Sequence, residues 1–297
     1  MTGVDRDGIT RTWSGVRRRG AAAVDALRGR VPSTTTVLVP AQPAPRGWWD
    51  LLPFTAHRIE LAPGIETTVA GVPPGDDIRT QLVVSACGGS LEGRTVVDLG
   101  CLEGGFTLAF AQAGAAHALG IEARERSVQR CELARTLLGV ENATFVNADV
   151  KDELGRHDAF DVVFATGILY HVADPAGFLK TMRSACAHVA LVDTHVARSE
   201  EATHDCSPMV ERESHGVTYR GRKFPEDPPD VSDDAQEAMA WAAYSDADAF
   251  WPLEEDLVQM MHDAGFSRVE KVDVAGDGNL PRWGVDTVNR VMYLAYV

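Results

Sequence analysis

A glycine-rich turn between an apolar run and a helix-like run is the first segment suited to hold a ligand. Residues 96–105 read VVDLGCLEGG, with Asp98 two positions before the first glycine, Gly100. In parallel α/β sheets, glycines at such a turn let a ligand approach the backbone, and the following helix offers free N–H groups. The turn therefore predicts a site for a nucleotide or adenosyl ligand.

The turn differs from the two common phosphate-binding patterns. Leu102 occupies the second glycine position of the dinucleotide fingerprint, where a side chain would obstruct a pyrophosphate. The lysine of the phosphate-loop pattern is also absent from residues 96–105. These departures favour a ligand that contains an adenosyl group and has no phosphate in contact with the turn.

Further polar residues follow later apolar runs, at the positions where strands of a sheet would end. Glu122 closes the second run, roughly 20 residues after the glycine turn, where an acid can hold both ribose hydroxyls. Tyr170 and His171 follow the fourth run, and His195 closes the fifth. A histidine near its ordinary pKa can accept a proton from a hydroxyl, amine or activated carbon, so His171 is a candidate general base.

The elements that must position these residues alternate regularly from Arg94 onward. Apolar strand-like runs separated by helical runs predict a doubly wound, Rossmann-like α/β domain with a seven-stranded, mostly parallel sheet. The predicted strands are 95–99, 117–121, 144–147, 160–165, 189–193, 268–274 and 290–297, and the predicted helices are 76–88, 106–112, 124–138, 175–187 and 253–264.

Two regions fall outside this alternation and define the predicted domain organisation. Residues 1–90 form an arm that covers the site, with an amphipathic helix in 1–31 and a proline-rich stretch after it. Residues 91–297 form the ligand-binding domain, and 198–252 form an acidic, aromatic insertion after the fifth strand. We interpret this insertion as the substrate-recognition element, although a solvated surface excursion is the simpler explanation of its charge.

Composition narrows the function classes. The formal net charge is −15, which repels phosphodiester backbones and predicts no nucleic-acid partner. Five scattered cysteines without a CxxC pair indicate free thiols in a reducing compartment, and no run approaches the length of a membrane span. We therefore expect a cytoplasmic protein with no membrane partner and with a small-molecule substrate.

The glycine turn and the segments after it resemble the motifs of the class I S-adenosylmethionine (SAM) dependent methyltransferases. DLGCLEG at 98–104 is similar to the first motif of that superfamily, and Glu122, NADV at 147–150 and FDVVFATG at 160–167 follow in the family's order. The resemblance implies SAM as cofactor and methyl transfer as the activity. The cofactor-binding residues that it implies are Asp98, Gly100, Cys101, Gly104, Glu122, Asp149, Val150 and Gly167.

One branch of the superfamily matches more closely. GILYHVADP at 167–175 and the sequence FWP at 250–252 resemble the branch that contains the tRNA wobble-uridine carboxymethyltransferase, over roughly residues 90 to 275. The tRNA substrate is not carried over, because the basic surface that it requires is missing from the composition.

The catalytic assignments leave alternatives open. His171, with Tyr170 beside it, is either a general base or a residue that only fixes the loop. His195 is either a second polar residue in the wall of the site or part of a metal site. The histidines show no ligand spacing, so we predict no metal. The island YRGRKF at 219–224 either clamps a substrate carboxylate or pairs with neighbouring acids.

Three functions remain open on the sequence. The first is a small-molecule methyltransferase of specialised metabolism. The second is a cyclase that consumes SAM and releases methylthioadenosine and a cyclic amino acid. The third is a non-catalytic SAM-binding protein, which the intact acidic set at Asp98, Glu122 and Asp149 argues against. A tRNA-modifying enzyme is also expected less, because the net charge is strongly negative.

Overall fold

The structure is a computed structural model. It describes residues 54–67, 69–198, 206–226, 239–272 and 289–297. The helix predicted within 1–31 lies outside these residues, as does most of the proline-rich stretch. The first described elements are two short strands, β1 (Glu60–Ala62) and β2 (Ile65–Glu66), which pair antiparallel.

A seven-stranded sheet forms the centre of the molecule, as the alternation of apolar and helical runs predicts. Its strands are β3 (Thr95–Leu99), β4 (His117–Glu122), β5 (Ala143–Asn147), β6 (Phe160–Thr166), β7 (Cys186–His195), β11 (Arg268–Lys271) and β12 (Arg290–Tyr296). Their spatial order is β11-β12-β7-β6-β3-β4-β5. Five neighbouring strands run parallel, and β12 and β11 add antiparallel at one edge.

Helices cover both faces of this sheet because its strands alternate two sets of buried apolar side chains. Val97 and Val163 belong to the cluster on one face, whereas Val96 and Val162 belong to the cluster on the other. The six α-helices of the described chain are α1 (Ile78–Ala86), α2 (Gly105–Gln112), α3 (Glu125–Leu138), α4 (Val150–Glu153), α5 (Pro175–Ser184) and α6 (Glu254–Ala264). Side chains of α1, α2 and α3 enter one cluster, and those of α5 and α6 enter the other. The doubly wound fold is thus confirmed.

The predicted insertion contains a second, smaller sheet. Strands β8 (Val210–Ser214), β9 (Val217–Pro225) and β10 (Asp248–Pro252) pair antiparallel in the order β10-β9-β8. Phe250 is 1% exposed, and the rings of Phe224 and Trp251 stack with centroids 4.6 Å apart. Phe250 therefore packs into the core of the main domain, and Phe224 and Trp251 pack on each other, whereas Trp241 and Tyr244 are exposed.

Several predicted boundaries differ from the structure, and the helix predicted over 76–88 is confined to Ile78–Ala86. The helix predicted over 175–187 ends at Ser184, and Cys186 already begins β7, so that strand is longer than predicted. The reason is that β7 pairs along its length with β6 on one side and β12 on the other, and this pairing extends the strand beyond its most apolar residues. The strand predicted over 268–274 is described as far as Lys271, and Val274 lies outside the described residues.

Sheet topology fixes where a ligand can bind. Strand β4 lies on one side of β3 and strand β6 lies on the other, so the order of the chain reverses at the β3–β6 junction. In open α/β sheets, ligands bind at the carboxyl ends of the strands beside such a junction. The glycine turn after β3 and the Gly167–His171 loop after β6 both stand there.

Candidate cofactor and acceptor site

The glycine turn between β3 and α2 is held in a conformation that glycine allows. Gly100 and Gly104 have φ angles of +68° and +72°, and Leu102 between them also has a positive φ of 49°. A Cβ atom on Gly104 would lie 2.7 Å from the ring of Phe145, so the neighbouring packing also excludes a side chain there. Such a turn keeps the backbone exposed to whatever lies beyond the strand ends.

Glu122 lies at the end of β4 and is bonded to this turn. Its carboxylate is 3% exposed, and Oε2 accepts the N–H of Leu102 at 3.0 Å. Its other oxygen, Oε1, accepts the N–H of Arg124 at 2.9 Å. A carboxylate has further acceptor capacity beyond these two bonds, and Glu122 lines the cavity described below.

Asp98 is a second buried carboxylate on the same side of the sheet. It is 4% exposed and accepts the hydroxyl of Thr107 at 2.7 Å. Burial, opposed by the bond from Thr107 and assisted by the charge of Glu122, raises the pKa of Asp98 to about 7. Cys101 beside it is also buried, and burial raises the pKa of its thiol well above the ordinary value. Cys101 is therefore a thiol, not a thiolate, at neutral pH.

A cavity of about 570 Å³ opens at the carboxyl ends of β3, β4, β6 and β7. It brings together most of the residues that the sequence places at strand ends. The predicted residues that line it are Asp98, Gly100, Cys101, Glu122, Gly167, Tyr170, His171 and His195. Gly104 does not line the cavity and instead precedes the first turn of α2.

Asp149 and Val150 line a smaller neighbouring pocket together with Gly100, Glu122 and His171. Asp149 caps the short helix α4, since its Oδ1 accepts the N–H of Lys151 at 2.9 Å. Its other oxygen accepts the hydroxyl of Ser245. Asp149, which the family resemblance implies as a cofactor-binding residue, thus lies beside Glu122, which is predicted to hold the ribose, but already has protein partners.

Residues 239–246, which we term the covering segment, close one side of both pockets. Arg124 donates to the carbonyl oxygens of Met239 and Ala242 at 2.6 and 2.8 Å. Farther along, Asp246 pairs with Lys151 at 2.8 Å and accepts the N–H of Ala173 at 3.0 Å. Arg124, which precedes α3 as its N-cap residue, is 4% exposed and fastens this segment.

The predicted catalytic residues meet in the wall of the large cavity that follows β6 and β7. The rings of Tyr170 and His171 have centroids 4.3 Å apart, and Tyr170 meets the ring of His195 edge-on at 4.5 Å. Trp251 of the insertion stacks on His195 at 5.0 Å and donates its indole N–H to the carbonyl of Tyr170 at 2.8 Å. The insertion thereby supports the back of this aromatic group.

Electrostatics distinguish the two histidines. Burial, assisted by the charge of Arg290, lowers the pKa of His195 to about 4, so this ring is neutral at physiological pH. His171 has a carboxylate partner, since its Nδ1 lies 2.8 Å from Oε1 of Glu226. Among the described residues, no three His, Cys, Asp or Glu side chains are grouped to hold a metal ion.

A network of charges that was not found from the sequence contributes Asp77, Arg79 and Arg290 to the lining of the large cavity. Asp193 accepts two bonds from Arg290, at 2.6 and 2.7 Å, and lies 3.6 Å from Arg79. Arg79 in turn donates two 2.9 Å bonds to Asp77. Arg290 and Asp193 stand 97 positions apart, and only the antiparallel pairing of β12 with β7 brings them together.

The arm predicted to cover the site contacts the glycine turn through residues 55–57. The backbone N–H groups of Thr55, Ala56 and His57 all donate to the carboxylate of Glu103, at 2.5, 2.9 and 3.1 Å. His57 Nδ1 accepts the N–H of Gly105 at 3.2 Å, which satisfies the first turn of α2. Burial, assisted by the charge of Arg79, lowers the pKa of His57 to about 3, so the ring is neutral.

The basic island of the insertion is paired internally. Arg220 bonds to Glu255 and Asp256 at 3.2 and 3.1 Å, and Arg222 donates to the carbonyl of Ser207 at 2.8 Å. Lys223 lies 3.8 Å from Asp248. Pairing with neighbouring acids is therefore confirmed for Arg220 and Lys223, whereas Arg222 is bonded to backbone carbonyls.

The residues at the site fit an adenosyl cation. Two buried carboxylates, Asp98 and Glu122, face one cavity, and the pKa of Asp98 is raised chiefly by burial, so its ionised form calls for compensation by a positive charge. A ligand carrying sulfonium and ammonium charges would supply that compensation, and ribose hydroxyls match the remaining acceptor capacity of Glu122. The donor set is therefore suited to SAM.

Comparison with known proteins places this geometry in a family. The model of the methyltransferase domain family matches residues 90–241, which is half of the chain. The tRNA U34 carboxymethyltransferase of Cronobacter sakazakii is 31% identical over 155 residues, covering 52% of this chain and 42% of that protein. The enzyme of the same name from Shewanella halifaxensis is 34% identical over 135 residues, covering 46% of this chain and 38% of its own length. The chain thus matches less than half the length of these curated relatives.

A solved structure shares the fold over most of the chain. The N-terminal domain of EvdMO1, crystallised in the presence of SAH and D-fucose, superposes with a TM-score of 0.62 at 23% identity. The match covers 84% of this chain and 93% of that one. None of the helices in the described residues combines the length and apolar character that crossing a membrane requires.

Proposed function

The chain belongs to the methyltransferase domain family, whose class I members use SAM, and on that premise we propose that it methylates a small-molecule acceptor. The observation that carries the proposal is the shared cavity. Its walls hold buried carboxylates at the glycine turn and an imidazole with a carboxylate partner in the Tyr170–His171 loop. These are the groups that cofactor binding and proton removal require.

At the cofactor end of the site, residues of the chain would bind and orient SAM. Glu122 would hold the ribose, Asp149 and Val150 would flank the adenine, and Asp98 would face the methionine portion. Gly100, Cys101 and Gly167 would provide close backbone approach at the turn and after β6, and Gly104, which does not line the cavity, would keep the turn in its conformation. Bound here, SAM supplies a methyl group on a positively charged sulfur, which becomes a neutral thioether when the methyl group leaves.

At the acceptor end, the chain positions a nucleophile and takes its proton. His171 Nε2 would receive the proton of an acceptor hydroxyl as the new bond to carbon forms, while Glu226 balances the imidazolium charge. Neutral His195 and the hydroxyl of Tyr170 would orient the acceptor. The covering segment and residues 54–59 would exclude water, which leaves proximity and orientation as a major source of rate.

Support for a small acceptor comes from the charge and the enclosure of the cavity. A net charge of −15 opposes approach of a polyanion, and the basic island is engaged with acids of α6. EvdMO1, whose domain shares this fold, was crystallised with a monosaccharide. A hydroxyl acceptor of that size is compatible with the neutral imidazoles and the phenol of the aromatic group.

A second candidate is modification of tRNA, and the sequence relatives favour it. The curated relatives that match the catalytic half of this chain are named as tRNA U34 carboxymethyltransferases. A tRNA acceptor would require a local basic groove that works against the overall charge of the chain.

The test incubates the purified protein with SAM alone, with SAM and unmodified tRNA, and with SAM and an actinomycete-type metabolite extract. Products are followed by mass spectrometry. We expect S-adenosylhomocysteine and a methylated small product only with the extract. Methylthioadenosine with SAM alone would indicate the cyclase, and modified tRNA would replace the small-molecule proposal.

A further inference from the structure

Glu226 is a buried carboxylate in a stretch whose charge suggests a solvated surface. It directly follows β9, and its side chain is 3% exposed. Its backbone N–H donates to the carbonyl of Ala247 at 3.0 Å, which continues the pairing between β9 and the chain before β10. A carboxylate buried to this extent requires specific partners to offset its lost hydration.

Its two oxygens have different partners. Oε1 lies 2.8 Å from Nδ1 of His171, and Oε2 accepts the backbone N–H of Ala243 at 2.9 Å. One carboxylate thus joins the candidate base to the covering segment. The two bonds also fix which oxygen faces the imidazole.

This arrangement determines where the proton of a neutral imidazole resides. An ionised carboxylate is only an acceptor, so His171 must donate from Nδ1, and Nε2 is left with its lone pair. Among the described residues, no bond to Nε2 of His171 competes for that lone pair. His171 lines both the large cavity and the smaller pocket.

We propose that Glu226 is the positioning residue that holds His171 in its Nδ1–H tautomer, with Nε2 ready to accept a proton from the acceptor. The inference rests on the proposed function for the identity of the base. In the transfer step, the acceptor O–H bond breaks and its proton passes to Nε2. Glu226 stays ionised and offsets the charge of the imidazolium.

Besides the bond from Ala243 to Glu226, the covering segment is held by several contacts that do not involve Glu226. Arg124 binds the carbonyls of Met239 and Ala242, and Asp246 bonds to Lys151 and to the N–H of Ala173. A conservative change at Glu226 should therefore leave the segment and the cofactor end in place. The effect on His171 can then be separated from a general structural role.

Glu226→Gln should reverse the tautomer of His171. The amide oxygen can still accept the N–H of Ala243, which directs the amide NH₂ at Nδ1 of His171. Nδ1 would then act as acceptor, and the proton of the neutral ring would move to Nε2. Nε2 of His171 would then carry a proton and could not accept the proton of the acceptor.

The tautomer is measured by ¹⁵N NMR of histidine side chains in the full-length protein at a pH where the rings are neutral. His171→Gln identifies the resonances of this ring. We expect Nδ1–H in the wild type and Nε2–H in Glu226→Gln. The control Glu255→Gln alters an exposed carboxylate that pairs with Arg220 and should leave the spectrum of His171 unchanged.

A wild-type His171 in the Nε2–H form overturns the inference, even if Glu226→Gln fails to fold. The same tautomer in both folded proteins also overturns it. Once an acceptor is known, Glu226→Gln should lower kcat by at least 10-fold with KM for SAM nearly unchanged, and Glu226→Asp should recover part of the rate. Because the NMR readout needs no acceptor, failure of the proposed methyl transfer is distinguishable from failure of this inference.

Discussion

The carboxylate of Glu122 accepts the backbone N–H of Leu102 at 3.0 Å, so the end of β4 is bonded directly to the glycine turn that follows β3. A second bond, from the N–H of Arg124, fixes the other carboxylate oxygen. The residue proposed to hold the ribose is therefore oriented by backbone donors. A side chain fixed in this way loses little conformational entropy on binding a ligand.

Glu122→Ala should weaken SAM binding by about 1 to 3 kcal/mol, because charge-assisted bonds to the ribose are lost. Glu122→Gln should weaken it less, since the amide oxygen can still accept one bond. Titration calorimetry measures both affinities, with Glu132→Gln on the exposed side of α3 as the matched control. Unchanged affinity in a folded Glu122→Ala protein would remove this residue from the site.

SAM affinity should rise between about pH 6 and pH 8 and then level. Burial raises the pKa of Asp98 to about 7 in the protein without ligand, so a cationic ligand must displace a proton below that pH. Calorimetry in two buffers of different ionisation enthalpy should detect proton release near pH 6. Asp98→Asn should abolish both effects, and an equally steep profile in that variant would refute the assignment.

Gly104→Ala should damage both stability and SAM binding, whereas Gly114→Ala should affect stability alone. Both glycines have positive φ angles, so each alanine incurs about 1 to 2 kcal/mol of backbone strain. Only at Gly104 would the new Cβ lie 2.7 Å from Phe145, while at Gly114 nothing lies within 4 Å. Denaturant midpoints and calorimetry compare the pair, and equal losses of stability would contradict the packing argument.

Stability should fall as the pH is lowered from about 6.5 towards 4. Burial lowers the pKa of His57 to about 3 and that of His195 to about 4, so in this window both histidines bind protons in the unfolded chain but not in the folded one. Asp98, whose pKa is raised to about 7 by burial, acts in the opposite direction but offsets only one of these two protons. His57→Asn keeps an acceptor for the N–H of Gly105 but removes the titration. Its unfolding free energy, followed by chemical denaturation, should depend less steeply on pH than that of the wild type.

His171→Gln should lower kcat by roughly 10²-fold or more while leaving SAM affinity nearly intact, because proton acceptance matters only in the transition state. The glutamine still fills the loop between β6 and α5. Turnover is measured with the acceptor identified by the extract experiment. A near-normal rate in His171→Gln would leave positioning of the acceptor as the main source of catalysis.

The doubly wound fold is predictable from the sequence because its signals are local. Val96, Val97 and Leu99 belong to a run buried on both faces of the sheet, and such a run needs no distant residue to be recognised. The glycine turn is equally local, since Gly100 and Gly104 adopt backbone angles that few other residues allow. Parallel strands joined by helices then bring residues at the strand ends, such as Glu122 and His171, to one edge of the sheet.

The tertiary structure decided which charges become partners. Glu226 belongs to an acidic stretch that the sequence favours as solvated surface, yet the pairing of β9 with β10 places it 2.8 Å from His171, 55 positions away. The bonds of Glu103 to the 55–57 backbone and of Asp193 to Arg290 likewise join distant segments. Such pairs leave no periodic signal in the sequence, because the same charged residue type occurs whether its side chain is hydrated at the surface or paired in the interior. Only the packing of the chain shows which of the two applies.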